Sequence, residues 1–155
     1  MAQQPTPYPA PDFSLISSDG TRHQLADFAG SWLVLYFYPK DDTPGCTTQA
    51  CSMRDERDEM AKLGAQVVGV SRDTPDVHER FKEKYSLNFT LLSDPRAEVH
   101  QLYGAWGKKM FGHEGALRKT FLIDPSGVVQ KVYGRAVPLG HGGKILDDLR
   151  VLQQT

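Results

Sequence analysis

The chain has 155 residues, 39% of them apolar and 24% charged, which suits one soluble globular domain with a real core and excludes a disordered chain. Its 18 Lys and Arg against 19 Asp and Glu leave a formal net charge of −1, so neither nucleic acid nor an anionic membrane surface is expected as a partner. The longest apolar run, Trp32 to Tyr38, is too short to span a bilayer, and Met1 to Pro11 lacks the basic cluster and apolar core of a secretory signal. A cytoplasmic location is therefore expected, where the Asn88-Phe89-Thr90 sequon is a coincidence and any disulfide between the two cysteines is transient.

Pro5, Pro7, Pro9 and Pro11 make residues 1–10 an extended, weakly ordered lead-in to a domain covering 1–155. Asp12 to Ile16, the turn Ser18-Asp19-Gly20-Thr21 and Arg22 to Leu25 predict a small N-terminal β-hairpin. Trp32 to Tyr38 is a continuous apolar run ending at Pro39, the pattern of a strand buried on both faces. A polar loop, Lys40 to Asp42, leads into a helix from Pro44 to about Leu63, stopped by Gly64. Ala50, Met53, Met60 and Leu63 fall on its apolar side, the methionines as packing groups, with Asp55, Glu56, Asp58 and Glu59 mostly on the wet side. Gln66 to Val70 predicts a buried strand, and Thr74-Pro75 the start of a helix to about Tyr85. Leu91-Leu92 predicts a brief strand and Pro95 to Tyr103 a short helix. Thr120 to Ile123 and Val128 to Tyr133 flank the turn Asp124-Pro125-Ser126-Gly127 as a second hairpin, and a helix from about Gly143 to Gln153 closes the chain. Strands alternating with helices predict an α/β fold, a mixed central sheet with helices on both faces.

The segment Pro39 to Thr47 follows the carboxyl end of the central strand, where open α/β sheets place their sites. Thr43 suits the helix N-cap and Pro44 the first helical position. Cys46 then lies in the first turn among backbone N–H groups without intrahelical partners, at the positive end of the helix dipole. That setting favours the thiolate, the nucleophilic form. The Thr43 hydroxyl is near enough in sequence to bond the sulfur or an oxygen bound against it, and Gly45 permits close approach to the backbone. Cys51 follows five residues later, which on an intact helix means a rotation of about 140° and a rise of about 7.5 Å. The Cα atoms would be roughly 8 to 9 Å apart, beyond the roughly 7 Å limit for a disulfide, so a bridge requires the segment from Cys46 to about Met53 to unravel.

Pro39, Thr43 and Cys46 match the Pro-x-x-x-Thr-x-x-Cys motif of the peroxiredoxins. The strings Tyr36 to Asp41, Thr43 to Thr47, Ala50-Cys51, Tyr103-Gly104, Arg118 to Asp124 and Gly127 make the chain from Pro11 onward resemble the bacterioferritin comigratory protein (peroxiredoxin Q) subfamily. The resemblance implies a thioredoxin-like fold, with Cys46 as the peroxidatic and Cys51 as the resolving cysteine. It implies that Arg118 holds the thiolate and the peroxide oxygen, that Gln49 supports with a hydrogen bond, and that Pro39 belongs to the active-site motif. Hydrogen peroxide and alkyl hydroperoxides are then the expected substrates and a thioredoxin-type dithiol the reductant, with no metal or other cofactor and a monomeric chain. The stretch Phe111 to Ala116 is a few residues shorter than in relatives, which bears on substrate preference.

Other readings compete. A free cysteine is often an inert packing residue, Cys51 could be a bystander, and Arg118 could be a surface ion-pair partner. Four residues between the thiols, where disulfide oxidoreductases of the thioredoxin kind usually have two, weigh against a general thiol–disulfide oxidoreductase; a redox-sensing binding module is the other alternative. His23, His78, His100, His113 and His141 are scattered without ligand spacing, and two cysteines cannot build a Cys-rich zinc site. Gly140-His141-Gly142-Gly143-Lys144 is not a phosphate loop, because Pro138 and Ile145 occupy positions that need Gly and Ser or Thr.

Overall fold

Apolar side chains on both faces of the strand after Gly30 organise the molecule, which a computed structural model describes over residues 5–109 and 112–154. This strand, β4 (Trp32–Phe37), directs Leu33, Leu35 and Phe37 into one core and Val34 and Tyr36 into the other, with Tyr38 just beyond it. It pairs in parallel with β5 (Ala65–Ser71), Leu35 opposite Val68, and antiparallel with β9 (Lys119–Ile123), Leu35 opposite Phe121. Parallel pairing continues to β6 (Thr90–Ser93), and the hairpin β2 (Ser14–Ser17) and β3 (Arg22–Gln24) joins antiparallel at that edge. On the other side β10 (Val128–Tyr133) pairs with β9, so the sheet is mixed, as expected.

Helices α1 (Pro44–Lys62), α2 (Pro75–Tyr85) and α4 (His141–Gln153) cover the Tyr36 face, contributing Ala50, Met53, Met60, Phe81, Ile145 and Leu149. The opposite face is covered by α3 (Glu98–Leu102) and a 3-10 turn at Leu25–Phe28, through Val99 and Phe28. Met53 and Met60 are fully buried, each withdrawing enough apolar surface to stabilise the fold by about 1.5–3 kcal/mol. Where α4 crosses α1, a Cβ on Gly142 would lie 2.3 Å from the Ser52 carbonyl oxygen, and the Gly142 amide donates to Ser52 Oγ at 2.7 Å. Only glycine admits that approach.

Four expectations need correction. The lead-in is extended, but Tyr8–Pro9 forms strand β1, paired with Val128 and Val129 at the sheet edge; prolines suit an edge because an edge strand leaves donors unused. Residues 1–4 of that lead-in lie outside the described residues. Helix α3 begins at Glu98 rather than Pro95, because the Asp94 carboxylate takes the His100 N–H and Asp94 to Ala97 forms a turn closed by the Ala97 amide. Leu25, expected at the end of a strand, opens the 3-10 turn instead. Glu114–Ala116, expected in a loop, is strand β8, paired antiparallel with β7 (Trp106–Lys108), Trp106 opposite Ala116. Phe111, expected in the same loop, lies outside the described residues.

Candidate active site

The carboxyl end of β4 delivers the chain through Pro39 and the loop Lys40–Asp42 to the first turn of α1. Thr43 is the N-cap and Pro44 the first helical residue. The first intrahelical bond runs from the Thr47 amide to the Thr43 carbonyl at 2.8 Å, so the Gly45 and Cys46 amides have no carbonyl to bond within the helix. Cys46 is 1% exposed and its thiol is free; Cys51, also free, is half-buried.

Arg118, on the short link between β8 and β9, closes the site from across the sheet. Its Nη2 donates to Cys46 Sγ at 3.3 Å and its Nη1 to Gln49 Oε1 at 2.6 Å. The Arg118 carbonyl accepts from the Ala136 amide at 3.0 Å, which pins the backbone from which the guanidinium extends. A fixed cation against the sulfur, at the positive end of a helix, is placed to stabilise negative charge that develops there or on an oxygen beside it. The Gln49 side chain is fully buried, and its Nε2 has no partner among the described residues, nor does the Tyr36 hydroxyl. Burial raises the Tyr36 phenol well above its ordinary range, with Asp41 and Cys46 pushing the same way and Arg118 opposing.

Two glycine and threonine roles differ from the reading by sequence. A Cβ on Gly45 would stand 3.2 Å from Arg118 Nη2 and 3.7 Å from Pro138 Cγ, so the missing side chain admits the guanidinium itself. The Thr43 hydroxyl makes no capping bond to the helix; it donates to the Lys40 carbonyl at 2.9 Å, leaving its lone pairs free to accept. His113 is exposed, as expected of a loop histidine.

Three buried groups near the site were given no role by the sequence reading. His141, the first residue of α4, lies with Nε2 2.8 Å from Thr120 Oγ1. Burial, with Arg118 and Lys144 nearby, pushes its pKa down to about 4, so it is neutral at neutral pH and adds no second cation beside Arg118. Asp41 and His78 form a fully buried pair, Nδ1 to Oδ2 2.5 Å, to which Tyr38 donates its hydroxyl. With Asp73 they bring ligand-type atoms within 4.8 Å of one another. Those atoms already serve protein partners: the Asp41 amide and the Ser71 hydroxyl donate to Asp73 Oδ2 at 2.8 and 2.7 Å, and His78 Nε2 faces the Leu92 carbonyl at 3.0 Å. The cluster is a closed hydrogen-bond network that fastens the loop ahead of α1. Sequence carried no signal for it beyond a scattered His and a polar loop.

No helix among the described residues is long and apolar enough to cross a membrane. The AhpC/TSA family profile matches residues 7–132. Peroxiredoxin Bcp of Escherichia coli strain K12 is 44% identical over 144 residues, covering 91% of this chain and 92% of that protein. Peroxiredoxin Bcp of Bacillus subtilis strain 168 is 41% identical over 148 residues, 94% of each chain. Among solved structures, Xanthomonas campestris peroxiredoxin Q superimposes with a TM-score of 0.86 at 37% identity over 90% of both chains. A structure from work on alkyl peroxide reduction by the Xanthomonas campestris bacterioferritin comigratory protein gives 0.86 at 36% identity, over 90% of this chain and 91% of that one. With a thioredoxin-like peroxiredoxin fold, a cysteine at the start of α1 and an arginine on its sulfur, the chain belongs to the AhpC/TSA family and is a peroxiredoxin, a thiol peroxidase of the Bcp/peroxiredoxin Q group.

Proposed function

We propose that Cys46 is the peroxidatic cysteine of an atypical two-cysteine peroxidase, that Cys51 resolves it, and that a thioredoxin-type dithiol restores both thiols. The observation that carries this reading is the Arg118 guanidinium 3.3 Å from Cys46 Sγ in the first turn of α1. Cys46 thiolate attacks the nearer peroxide oxygen; the O–O bond breaks, sulfur is oxidised to the sulfenic acid, and the other oxygen leaves with a proton as water or alcohol. Arg118 and the Gly45 and Cys46 amides face the oxygens as charge moves onto them, and the Thr43 hydroxyl, its hydrogen held by the Lys40 carbonyl, accepts from the peroxide O–H. Pro39 fixes the turn out of β4, and Gln49 holds Arg118 Nη1. Hydrogen peroxide and alkyl hydroperoxides are the substrates, the latter by likeness to the Xanthomonas campestris relative. No step requires a metal or an organic cofactor.

Cys51 thiol then condenses with the sulfenic acid, releasing water and forming the Cys46–Cys51 disulfide, and the external dithiol reduces it by exchange. An intact α1 holds these residues too far apart for that bond, so the helix unwinds from Cys46 to about Met53. The amide of Gly142 on Ser52 Oγ is the tertiary bond that resists the far end of this unwinding. The chain acts as a monomer in the cytoplasm.

Peroxide consumption with a thioredoxin reducing system, in wild type, Cys46→Ser and Cys51→Ser, tests the assignment. Cys46→Ser is expected to lose even a single turnover, while Cys51→Ser consumes one equivalent and then stops. If Cys51→Ser cycles at the wild-type rate with thioredoxin, another thiol does the resolving.

A further inference from the structure

Asp41 stands five residues before Cys46 with its side chain turned fully into the protein. Both carboxylate oxygens are engaged, Oδ1 by the Tyr38 hydroxyl at 2.5 Å and Oδ2 by His78 Nδ1 at 2.5 Å. On the far side of the ring, His78 Nε2 faces the Leu92 carbonyl at 3.0 Å. A carbonyl only accepts, so Nε2 carries a hydrogen. The contact between Nδ1 and Oδ2 requires another. With two protons on it the Asp41–His78 pair is neutral overall, whichever atom holds the shared one. The other ionisable neighbours are Tyr36 of β4, Tyr38 just beyond it, and Asp73 from the turn after β5, which accepts the Asp41 amide.

The loop that Asp41 anchors is the one that sets α1. Its next residue, Asp42, is bound at the surface by Lys84 and Tyr85 of α2, so α2 holds the loop inside and out. The Asp41 charge is also close enough to the site to act on the same buried Tyr36 hydroxyl that Cys46 acts on. Without His78, the buried Asp41 carboxylate would lose its cationic partner five residues before the nucleophile, and a like charge acting on the same site disfavours a thiolate.

We propose that His78 is a positioning residue for the peroxide reaction. Its proton balances the buried Asp41 carboxylate, letting the loop Lys40–Asp42 fold beneath the start of α1 without a negative charge competing with the Cys46 thiolate. The inference rests on Cys46 being the nucleophile.

The test compares single-turnover peroxide consumption and the pH profile of Cys46 alkylation by iodoacetamide across variants. His78→Leu is expected to slow consumption about tenfold, the order of one partly screened buried charge, and to move the alkylation profile to higher pH. Asp41→Ala/His78→Leu, which removes the orphaned carboxylate too, is expected to return both readouts to within about twofold of wild type. His78→Asn keeps a donor toward Asp41 but brings no second proton; it moves both readouts in the same direction as His78→Leu and replaces it if that variant does not fold. Wild-type readouts in the single variant, or a double variant as impaired as the single, overturn the proposal. Peroxide consumption that survives Cys46→Ser would instead remove the nucleophile assignment on which it stands.

Discussion

Helices α1 and α2 open with the same dipeptide, Thr43-Pro44 and Thr74-Pro75, and use it in opposite ways. In α2 the Thr74 hydroxyl accepts from the Val77 amide at 3.4 Å and Asp76 supplies negative charge in the first turn, so the helix start is satisfied from within. In α1 the Thr43 hydroxyl turns back to Lys40, the first turn has no acidic residue, and Gly45 and Cys46 stand where α2 has Asp76 and Val77. What α2 spends on its own stability, α1 leaves open for a thiolate and an incoming oxygen, with Arg118 in the space Gly45 vacates. The same cap signal thus marks a structural helix in one place and an active site in the other; the difference lies in the two residues that follow.

Making α1 start like α2 is the strongest way to break that comparison. Gly45→Asp puts a carboxylate at the helix start, where it is favourable for folding, and against Arg118 Nη2, which it draws from the sulfur. Peroxide consumption in stopped flow is expected to fall about a hundredfold or more, the scale of losing one oxyanion donor, with helix content by circular dichroism retained. A variant that keeps full activity would mean that the open first turn has no part in the chemistry.

The two threonines sharpen the contrast with smaller effects. Thr43→Val is expected to reduce the peroxide rate about tenfold if, as proposed, the hydroxyl accepts from the peroxide O–H. Thr74→Val is expected to leave the rate alone and lower the unfolding free energy by up to about 1 kcal/mol, the usual value of a cap, read by urea titration. Exchanged outcomes would invert the assignment of the two helix starts.

Helix α4 supplies a test that leaves the chemistry aside. Its first residue, His141, has a pKa lowered from 6.5 to about 4, so between those values the unfolded chain binds more protons than the folded one. Stability attributable to His141 is therefore complete above about pH 6.5, falls as pH drops toward 4, and changes no further below. The full loss is roughly 3 kcal/mol. His141→Gln should flatten that part of the stability profile in urea unfolding between pH 4 and 7; an unchanged slope would assign it to other groups.

The central strand and the helix starts were legible because their signals are local. Seven consecutive apolar residues from Trp32 can only be buried on both faces, and Thr-Pro followed by a run of helix formers, as at Thr43 and Thr74, marks a helix start. The position of Cys46 in a first turn followed from the same local signal. Its contact with Arg118, 72 residues away, did not; family resemblance suggested it, and packing of β9 beside β4 brings it about. The Asp41–His78 pair spans 37 residues and left no mark in spacing, since nothing in a loop aspartate or a helix histidine tells which buried partner it will meet. Strands β7 and β8 are three residues each and depend on pairing with one another, so no periodicity could display them.

The most direct test of the account is trapping of the first oxidised species with dimedone, followed by peptide mass spectrometry, after one equivalent of hydrogen peroxide is added to Cys51→Ser. The account predicts a stoichiometric sulfenic acid adduct on Cys46 of the peptide containing Gly45 and Gln49. Peroxide consumed without an adduct on Cys46 would contradict it.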